Sequence, residues 1–291
     1  MIAIPRAKQK PCVGLIAMPW YSVWVPSVQL GVLRRCLHDL TQVDSYELYV
    51  DYAAMISTQL YDRLSGGGEF VEEWLFAQHY FRGEGLPYND DVASCDFPSI
   101  GIGNPQQEKQ VLKVLAEVTG DYLIKMRDMI DWGKYDVIGF TLGIAQTSAS
   151  MALAALIRRK FPHVRIVFGG SACLGSQAEA ILSMCPHIDV IVRGEAEGIV
   201  SRLIERLAEG NCVNDLPGLT FRDAGGVISD SGSRVVEKIF EPTAEPNYDE
   251  YIERMTRYHL RDDTKIMLPF ESSRGCWWGE KTQCTFCGLA D

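Results

Sequence analysis

The segment Cys12-Val13-Gly14-Leu15-Ile16-Ala17-Met18 is a short, unbroken apolar run. Such a run is typical of a strand that is buried on both faces of a parallel sheet. A helix is predicted from Ser27, which can cap its first turn, because apolar residues then recur at helical spacing. Tyr46 to Val50 is predicted to form a second strand, which ends at Asp51. This β-α-β opening predicts a parallel sheet with a right-handed crossover.

The same alternation of strands and helices returns after residue 131. Strands are predicted at 136–141, 164–168 and 188–192, with helices at 148–160, 177–184 and 199–208. Five parallel strands with helices between them make an α/β, doubly wound, Rossmann-like sheet. Ligands of such sheets lie at the carboxyl ends of the strands, around the topological switch point.

Residues from about 55 to 131 interrupt this alternation and are predicted to form an insertion packed on the sheet. Helices are expected at 70–81 and 107–130, the second one broken or kinked near Gly120. Residues 83–105 are rich in Gly, Pro, Asn and Asp and are predicted to be irregular. Gly101-Ile102-Gly103 lacks the third glycine of a dinucleotide fingerprint, so no chemistry is assigned to the insertion.

Four features follow the sheet in the sequence. A hairpin is predicted from strands at 219–222 and 227–229, then a proline-bearing linker at 241–247 and a helix at 249–258. A strand at 266–272 is expected to lead into a cysteine-rich loop. The predicted organisation is a ligand-binding domain at 1–215, a hairpin and linker at 216–265, and the start of another domain at 266–291.

Composition limits the class of protein and its partners. The chain has 291 residues, 47% of them hydrophobic and 23% charged, as expected for a soluble globular protein of about two domains. Its formal net charge of −10 argues against a nucleic acid or an anionic membrane as the main partner. No apolar run has the length of a membrane-spanning helix, and the first residues lack a signal-peptide core.

The nine cysteines fall into two groups. Six are scattered singly and mostly lie in apolar runs, where a buried, reduced thiol is the expected state: Cys12, Cys36, Cys95, Cys173, Cys185 and Cys212. An odd number of cysteines without a disulfide pattern favours a reducing compartment, and we expect the cytoplasm.

The other three cysteines form a cluster of possible metal ligands near the end of the chain. Seven residues separate Cys276 from Cys284, and two separate Cys284 from Cys287. Three thiolates on a short loop can hold three irons of a [4Fe-4S] cubane, which leaves the fourth iron open to a substrate. Zinc is the alternative, because C-x-x-C is also a zinc half-site; no fourth Cys or His follows nearby, although His259 could return from upstream.

The residues around these cysteines carry a specific resemblance. Arg274-Gly275-Cys276-Trp277-Trp278-Gly279-Glu280-Lys281 and Cys284-Thr285-Phe286-Cys287-Gly288-Leu289 resemble the cluster loop of radical S-adenosylmethionine (SAM) enzymes. In that family an aromatic residue commonly precedes the third cysteine, as Phe286 does here. The commonest family spacing puts three residues between the first two cysteines. The longer spacing of this chain resembles cobalamin-binding radical SAM proteins that mature ribosomal peptides, typically C-methyltransferases.

The predicted carboxyl ends of the strands share a chemical character. They carry aromatic, hydroxyl, glycine and acidic residues: Trp20, Tyr21, Trp24, Thr141, Thr147, Ser148, Gly169, Gly170, Ser171, Gly194, Glu195 and Glu197. Glycines let a flat, bulky ligand approach the backbone, while hydroxyls and helix N-termini can bind phosphate or amide groups. Each residue taken singly is equally typical of a tight turn, a helix cap or a charge that complements a helix dipole.

Taken together, these strand ends resemble the cobalamin-binding domains fused in front of radical SAM barrels. The similar motifs are Pro26-x-x-x-Leu30-Gly31, Ile138-Gly139-Phe140-Thr141, Phe168-Gly169-Gly170 and Gly194-Glu195-Ala196-Glu197. The resemblance implies that the strand-end residues contact cobalamin. The chain lacks Asp-x-His-x-x-Gly, the motif that supplies a histidine to cobalt in other cobalamin proteins. We therefore expect cobalamin to bind without a histidine ligand, over the loop that holds Trp20, Tyr21 and Trp24.

The resemblance also implies a reaction. In the family, a cluster on the three cysteines (here Cys276, Cys284 and Cys287) reduces SAM, and Phe286 would pack near the adenosyl group. The resulting radical removes hydrogen from an unactivated carbon, methylcobalamin provides the methyl group, and a second SAM recharges the cobalt. The implied partners are a ribosomal precursor peptide and a reductant such as flavodoxin or ferredoxin. The strand at 266–272 would be the first of a β/α barrel.

Alternatives to this function remain open. Asp291 lies four residues beyond Cys287, so most of the barrel is expected to be missing and this polypeptide is expected not to turn over alone. A non-catalytic cobalamin-binding module is one alternative. An α/β ligand-binding domain with a C-terminal zinc hook is the other.

Overall fold

A computed structural model describes residues 10–39, 41–65, 69–88, 97, 99–223, 225–232, 245–271, 276–278 and 281–282. The strands in these ranges are β1 (Cys12–Ala17), β2 (Gln42–Glu47), β3 (Val137–Thr141), β4 (Arg165–Gly169), β5 (Val190–Val192), β6 (Leu219–Arg222) and β7 (Ile228–Asp230). The α-helices are α1 (Val28–Leu37), α2 (Leu48–Ile56), α3 (Thr58–Ser65), α4 (Glu69–Gly83), α5 (Pro105–Met129), α6 (Thr147–Lys160), α7 (Ser176–Met184), α8 (Val200–Glu209) and α9 (Asp249–Arg257). Of the helices in these ranges, none combines the length and apolar character needed to cross a bilayer.

The strands form one mixed sheet in the order β2-β1-β3-β4-β5-β6-β7. The first five strands are parallel, which confirms the predicted doubly wound sheet. Because β2 and β3 pair with opposite sides of β1, the strand order reverses between β1 and β3. This reversal is the topological switch point, beside which ligands of such sheets bind.

The predicted hairpin is confirmed, and it belongs to the sheet. Strand β6 pairs antiparallel with β5, with Leu219 opposite Val192, and β7 pairs antiparallel with β6. The sheet therefore continues beyond residue 215, where the sequence suggested a boundary. Since β6 runs opposite to β5, the turn between β6 and β7 lies at the amino-terminal edge of the parallel strands.

The predicted strand at Tyr46 to Val50 is wrong in its bounds. Strand β2 covers Gln42–Glu47, and Leu48 begins α2. The sequence misleads here because Leu48, Tyr49 and Val50 are fully buried in α2, so this helix has no polar face that would reveal its period.

The predicted break of the second insertion helix is also wrong. Helix α5 runs without interruption through Gly120 from an N-terminal capping box made by Asn104 and Gln107. A Cβ atom on Gly120 would lie 2.8 Å from Cε1 of His79. The glycine therefore allows α4 and α5 to approach closely, and it does not end the helix.

The predicted strand at 266–272 is absent from its described part, residues 266–271. The backbone N–H of Met267 donates to the carbonyl of Trp24 at 2.9 Å, and the Tyr248 hydroxyl donates to the carbonyl of Pro269 at 2.5 Å. These partners are a loop and a side chain, so the segment gains no strand ladder. Segment 266–271 is instead bound to the loop after β1.

Candidate functional site

A cavity of about 560 Å³ lies between the sheet and helices α1 and α8, and it extends from the amino-terminal residues of β1 and β3 to the carboxyl ends of β3, β4 and β5. Its floor comes from alternate residues of β1, β3, β4 and β5: Val13, Leu15, Val137, Gly139, Thr141, Val167, Gly169 and Val192. Its roof includes Leu30 and Leu33 of α1 and Leu203 of α8. The volume and the apolar lining are those of a small-molecule or cofactor site.

Two glycines create the hollow in the floor. Gly139 of β3 pairs with Leu15 of β1 and with Val167 of β4, so it lies in the middle of the sheet. A Cβ atom there would lie 3.2 Å from Cδ2 of Leu15. Gly169 ends β4 on the same face of the sheet. Gly169 pairs with Thr141, so the two glycines are diagonal neighbours on one face. Glycine weakens a strand interior, so two glycines in this arrangement indicate close approach of a ligand or another group.

The loop after β4 is joined to the loop after β3 (the β3 loop, residues 142–146). Gly170 has φ of 108° and ψ of −179°, a conformation that is essentially restricted to glycine. A Cβ atom on Gly170 would lie 2.5 Å from the carbonyl oxygen of Leu142. The Leu142 N–H also donates to the carbonyl of Gly169 at 2.7 Å. Ser171, which follows, lines the cavity.

Three acidic residues line part of the cavity. Glu195 and Glu197, in the loop after β5, and Glu271, in the segment after α9, all contribute to its lining. Glu271 precedes Cys276 by five residues, so their Cα atoms are at most about 18 Å apart in a fully extended chain. The first cysteine of the loop therefore lies within about 18 Å of a residue of the cavity lining.

Seven of the twelve strand-end residues singled out by the sequence meet at this cavity: Thr141, Gly169, Gly170, Ser171, Gly194, Glu195 and Glu197. The other five do not line it: Trp20, Tyr21, Trp24, Thr147 and Ser148. The structure gives each of these five a different environment.

The aromatic residues after β1 hold their own loop in place. Trp20 is only 5% exposed, stacks on Tyr61 with ring centroids 4.8 Å apart, and donates from Nε1 to the carbonyl of Glu72. The Tyr61 hydroxyl accepts from the N–H of Tyr21 and donates to its carbonyl. Trp24 Nε1 donates to a carboxylate oxygen of Asp62 at 3.4 Å. Trp20 is therefore a core residue, and its neighbours are fixed by side chains of the insertion.

The N-terminus of α6 also has a protein partner. The backbone N–H groups of Thr147 and Ser148 donate to the two carboxylate oxygens of Glu73 at 3.1 and 2.8 Å. A carboxylate from α4 thus occupies the position where an anionic group of a ligand was considered. Glu73 comes from the insertion, and no local pattern in the sequence pairs it with α6.

Sequence reasoning missed the residue that shapes the β3 loop. The side chain of Gln146 is buried; its Oε1 accepts from the N–H of Gly143 at 2.7 Å, and its Nε2 donates to the carbonyl of Met18. Gln146 therefore ties the β3 loop to the end of β1 across the switch point. The side chain of Ile144, between these contacts, is 70% exposed.

The cysteine loop is described only in part. Cys276 is exposed, and Trp277 and Trp278 pack edge to face with ring centroids 5.7 Å apart. Cys284, Phe286 and Cys287 lie outside the described residues. Within the described part of the chain, no group of three His, Cys, Asp or Glu side chains is arranged to hold a metal ion. The set of cluster ligands stays a prediction.

Two single cysteines have the environment predicted for them. Cys173 and Cys185 are buried, and burial raises the pKa of their thiols to about 12 and about 11. A thiol with such a pKa is protonated and unreactive at neutral pH. Cys212, in contrast, is exposed.

The cavity lining contains no histidine. Three of the described histidines have polar partners elsewhere in the fold. The ring nitrogens of His79 and His163 lie 2.8 and 3.0 Å from the carbonyls of Ala116 and Gly133, and His187 pairs with Glu84. Burial lowers the pKa of His79. None of these rings is placed to reach a ligand in the cavity.

The fold is similar to that of a solved cobalamin-dependent enzyme. OxsB, a cobalamin-dependent S-adenosylmethionine radical enzyme determined with aqua-cobalamin bound, superposes with a TM-score of 0.55 at 17% identity, over 96% of this chain. OxsB has also been determined with both aqua-cobalamin and S-adenosylmethionine bound. At this level of identity, the likeness shows the fold.

Two curated proteins are similar in sequence to parts of the chain. An uncharacterised methyltransferase of Pyrococcus horikoshii is 26% identical over 155 residues, or 52% of this chain. The anaerobic magnesium-protoporphyrin IX monomethyl ester cyclase of Synechocystis is 39% identical over 70 residues, or 24% of this chain. No family model matches the sequence. The matches span 28% of OxsB, 31% of the Pyrococcus protein and 14% of the cyclase, less than a third of each.

Proposed function

We propose that this chain is the cobalamin-binding part of a radical SAM enzyme that methylates an unactivated carbon. The observation that carries the proposal is the position of the cavity. It lies over β1 and β3, the strands that flank the switch point of a doubly wound sheet, and its lining includes Glu271, five residues before the first cysteine of the loop. The short sequence distance between Glu271 and Cys276 supports a cofactor site and an iron–sulfur cluster that lie near each other.

The residues of the cavity fit part of a cobalamin molecule. The apolar floor at Gly139 and Gly169 suits a flat aromatic group such as the base that ends the cofactor's nucleotide tail. Ser171 and Thr141, at the ends of β4 and β3, offer hydroxyls to polar groups of the tail. Helices α1 and α8 cover the floor. When bound, cobalamin would supply a methyl group carried on cobalt.

The cysteine loop would hold the second cofactor. Cys276, Cys284 and Cys287 would each bind one iron of a [4Fe-4S] cluster, which supplies an electron to SAM. Phe286 would pack beside the adenosyl group. The exposure of Cys276 and its distance limit from Glu271 support a cluster that lies outside the α/β sheet but close to the cavity.

The substrate, the reductant and the compartment are proposals that rest on the sequence of the loop. The run from Arg274 to Leu289 resembles that of peptide-maturing C-methyltransferases, which favours a ribosomal precursor peptide as the substrate. Methyl transfer is also supported by similarity to the Pyrococcus protein, which is named a methyltransferase. Flavodoxin or ferredoxin would supply the electron, and the cytoplasm would supply the reducing conditions that six single cysteines require.

Anaerobic reconstitution with iron and sulfide tests the cluster. We expect a brown chromophore that the Cys276→Ala variant loses. The Cys212→Ala variant should keep it, because Cys212 is an exposed cysteine outside the loop. Stoichiometric zinc without a chromophore would instead support the α/β domain with a zinc hook.

Cobalamin retention tests the sheet independently. The chain is incubated with hydroxocobalamin, passed over a desalting column and measured by its absorption spectrum. We expect about one cobalamin per chain, retained whether or not the cluster is assembled. A chain that keeps cobalamin but never forms a cluster would support the non-catalytic module, and a chain that keeps neither contradicts the proposal.

A further inference from the structure

The β3 loop is held more firmly than a connection between a strand and a helix requires. Leu142 is bonded through its N–H to Gly169, and the buried side chain of Gln146 bonds to Gly143 and Met18. The loop is thus tied to the ends of both strands that flank β3. Burying an amide group is costly unless its hydrogen bonds are made, and here both ends of the Gln146 amide are paired.

This rigid loop presents an apolar side chain to solvent. Ile144 is 70% exposed, and Ala145, the next residue, has φ of 62°. An alanine disfavours this left-handed conformation, so the loop keeps a strained backbone in order to hold its shape. Strain and an ordered, exposed apolar residue at the end of a strand are features of ligand-binding loops.

The position of Ile144 agrees with that role. It follows Thr141, which lines the cavity, by three residues, so their Cα atoms are at most about 11 Å apart. The β3 loop also lies at the switch point, because β1 and β3 are the strands between which the order reverses. A ligand that enters the cavity and extends out of it at the switch point therefore passes beside Ile144.

We propose that Ile144 packs against the face of the corrin ring that is turned toward the sheet, the face on which the sequence already predicts no histidine ligand for cobalt. The inference rests on the proposed cobalamin function and adds the residue beneath the ring. An isoleucine side chain has no lone pair to donate to a metal, and a planar macrocycle would remove its apolar surface from water. Trp20, in the loop after β1, is buried in the core and does not offer its side chain for this contact.

An Ile144→His variant tests the contact. The purified chain is loaded with hydroxocobalamin, reduced to cob(II)alamin and examined by electron paramagnetic resonance. We expect no nitrogen splitting in the wild type. In the variant, we expect each cobalt line to split into three, and into two when the protein is made with ¹⁵N-histidine, because the new imidazole reaches the metal.

The matched control is Val227→His. Val227 is 62% exposed, so it resembles Ile144, but it lies in the turn between β6 and β7, at the opposite edge of the sheet. This variant should give the wild-type spectrum. Histidine splitting in the control, or in the wild type, would show that the metal finds other imidazoles and would overturn the assignment of Ile144.

The outcomes separate the two proposals. An Ile144→His variant that binds cobalamin like the wild type but shows no histidine nitrogen overturns the inference and leaves the proposed function standing. A wild-type chain that binds no cobalamin contradicts the proposed function and the inference together.

A second measurement does not depend on the histidine variant. With ¹³C-methyl-labelled isoleucine, cob(II)alamin should broaden the Ile144 resonance, assigned by its loss in Ile144→Val; an unbroadened signal overturns the inference.

Discussion

Glu47, the last residue of β2, has the most unusual environment of the acidic residues described here. Its side chain is 2% exposed, and its Oε2 has no hydrogen-bond partner in the described structure. Burial raises the pKa of Glu47 from the usual 4.5 to about 7, and the charge of Arg254 offsets only part of this effect. Folding of this chain is therefore coupled to a proton on Glu47.

The sign of the coupling follows from the two pKa values. Between about pH 4.5 and pH 7 the folded chain keeps a proton on Glu47 that the unfolded chain releases, so stability falls as the pH rises through that window. Glu47→Gln removes the charged form. We expect the variant to match the wild type near pH 5 and to exceed its free energy of unfolding near pH 8 by up to roughly 3 kcal/mol, as measured by urea unfolding.

The control for this prediction is Glu253→Gln. Glu253 lies on α9 near Glu47 in the fold, but it is exposed. This variant should unfold with the pH dependence of the wild type. Parallel stability profiles for Glu47→Gln and the wild type between pH 5 and pH 8 would contradict the assignment of Glu47 as the titrating group.

Roles of single residues could be predicted from the sequence where local backbone chemistry decides them. Ser27 caps α1 as predicted and accepts from the N–H of Leu30 at 3.3 Å. Gly170 was predicted to let a ligand approach the backbone; the close neighbour that the structure gives it is the backbone of Leu142. Trp20 could not be distinguished from Trp24 in the same way. Its hydrogen bond to Glu72 spans 52 residues of sequence, and only tertiary packing decides it.

Helix α9 connects the linker to the free edge of the sheet. Glu250 accepts hydrogen bonds from the backbone N–H and the hydroxyl of Ser45, on edge strand β2, and pairs with Arg34 at 3.0 Å. Tyr251 donates from its hydroxyl to the carbonyl of Val23 at 2.8 Å. An unpaired strand edge is an aggregation hazard, and α9 covers part of it. The helix also fixes the loop after β1.

The strongest attachment of α9 is a buried ion pair. Arg254 Nη1 lies 2.5 Å from Asp51 Oδ2, with side chains 9% and 5% exposed, and Tyr258 donates to the other carboxylate oxygen at 2.6 Å. Arg254→Met leaves the Asp51 charge buried without its cation. We expect a loss of about 3–5 kcal/mol in urea unfolding. Adding Asp51→Asn should restore part of it, because the double variant buries no unpaired charge.

Arg257→Met provides the comparison for the ion pair. Arg257 is exposed in the last turn of the same helix, and its replacement should change stability by less than about 0.5 kcal/mol. Equal losses for Arg254→Met and Arg257→Met would mean that the buried pair is not the attachment of α9.

Elements were predictable where their periodicity is regular. Helices α1, α4, α6 and α8 agree with the sequence to within about two residues, and Gly210 ends α8 in the left-handed conformation as expected. Helix α2 was not predictable, because its first six residues are all buried and show no helical period. The path of the linker explains why residue 31 of α1 is a glycine. A Cβ atom on Gly31 would lie 2.8 Å from the ring of Tyr248, so this position in the Pro26-x-x-x-Leu30-Gly31 motif lets the chain cross α1.

At the scale of the molecule, the order of strands could be predicted in part and the cavity could not. Alternating strands and helices indicate the parallel sheet and its ligand-binding edge. Whether the space above Gly139 and Gly169 is filled depends on the distance of α1 and α8 from the sheet, and that distance depends on side chains far apart in sequence. The seven strand-end residues that meet at the cavity were predictable because sheet topology, not packing detail, places them.

The order of the strands and the size of the cavity depend on different contacts. Gly169 is therefore a site at which cobalamin binding can be changed without unfolding the chain. A Cβ atom on Gly169 would lie 3.7 Å from Val192, an ordinary contact, and the rest of a larger side chain would extend into the cavity. Gly169→Leu should leave the free energy of unfolding within about 1 kcal/mol of the wild type, because loss of a strand glycine is itself favourable. Hydroxocobalamin, titrated by absorption, should bind at least tenfold more weakly.

Ser229→Leu adds the same side chain to β7, outside the cavity lining, and should bind cobalamin like the wild type. If Gly169→Leu binds as tightly as Ser229→Leu, the cofactor does not enter this hollow, and the sheet would serve only as a support for the loops at its edge.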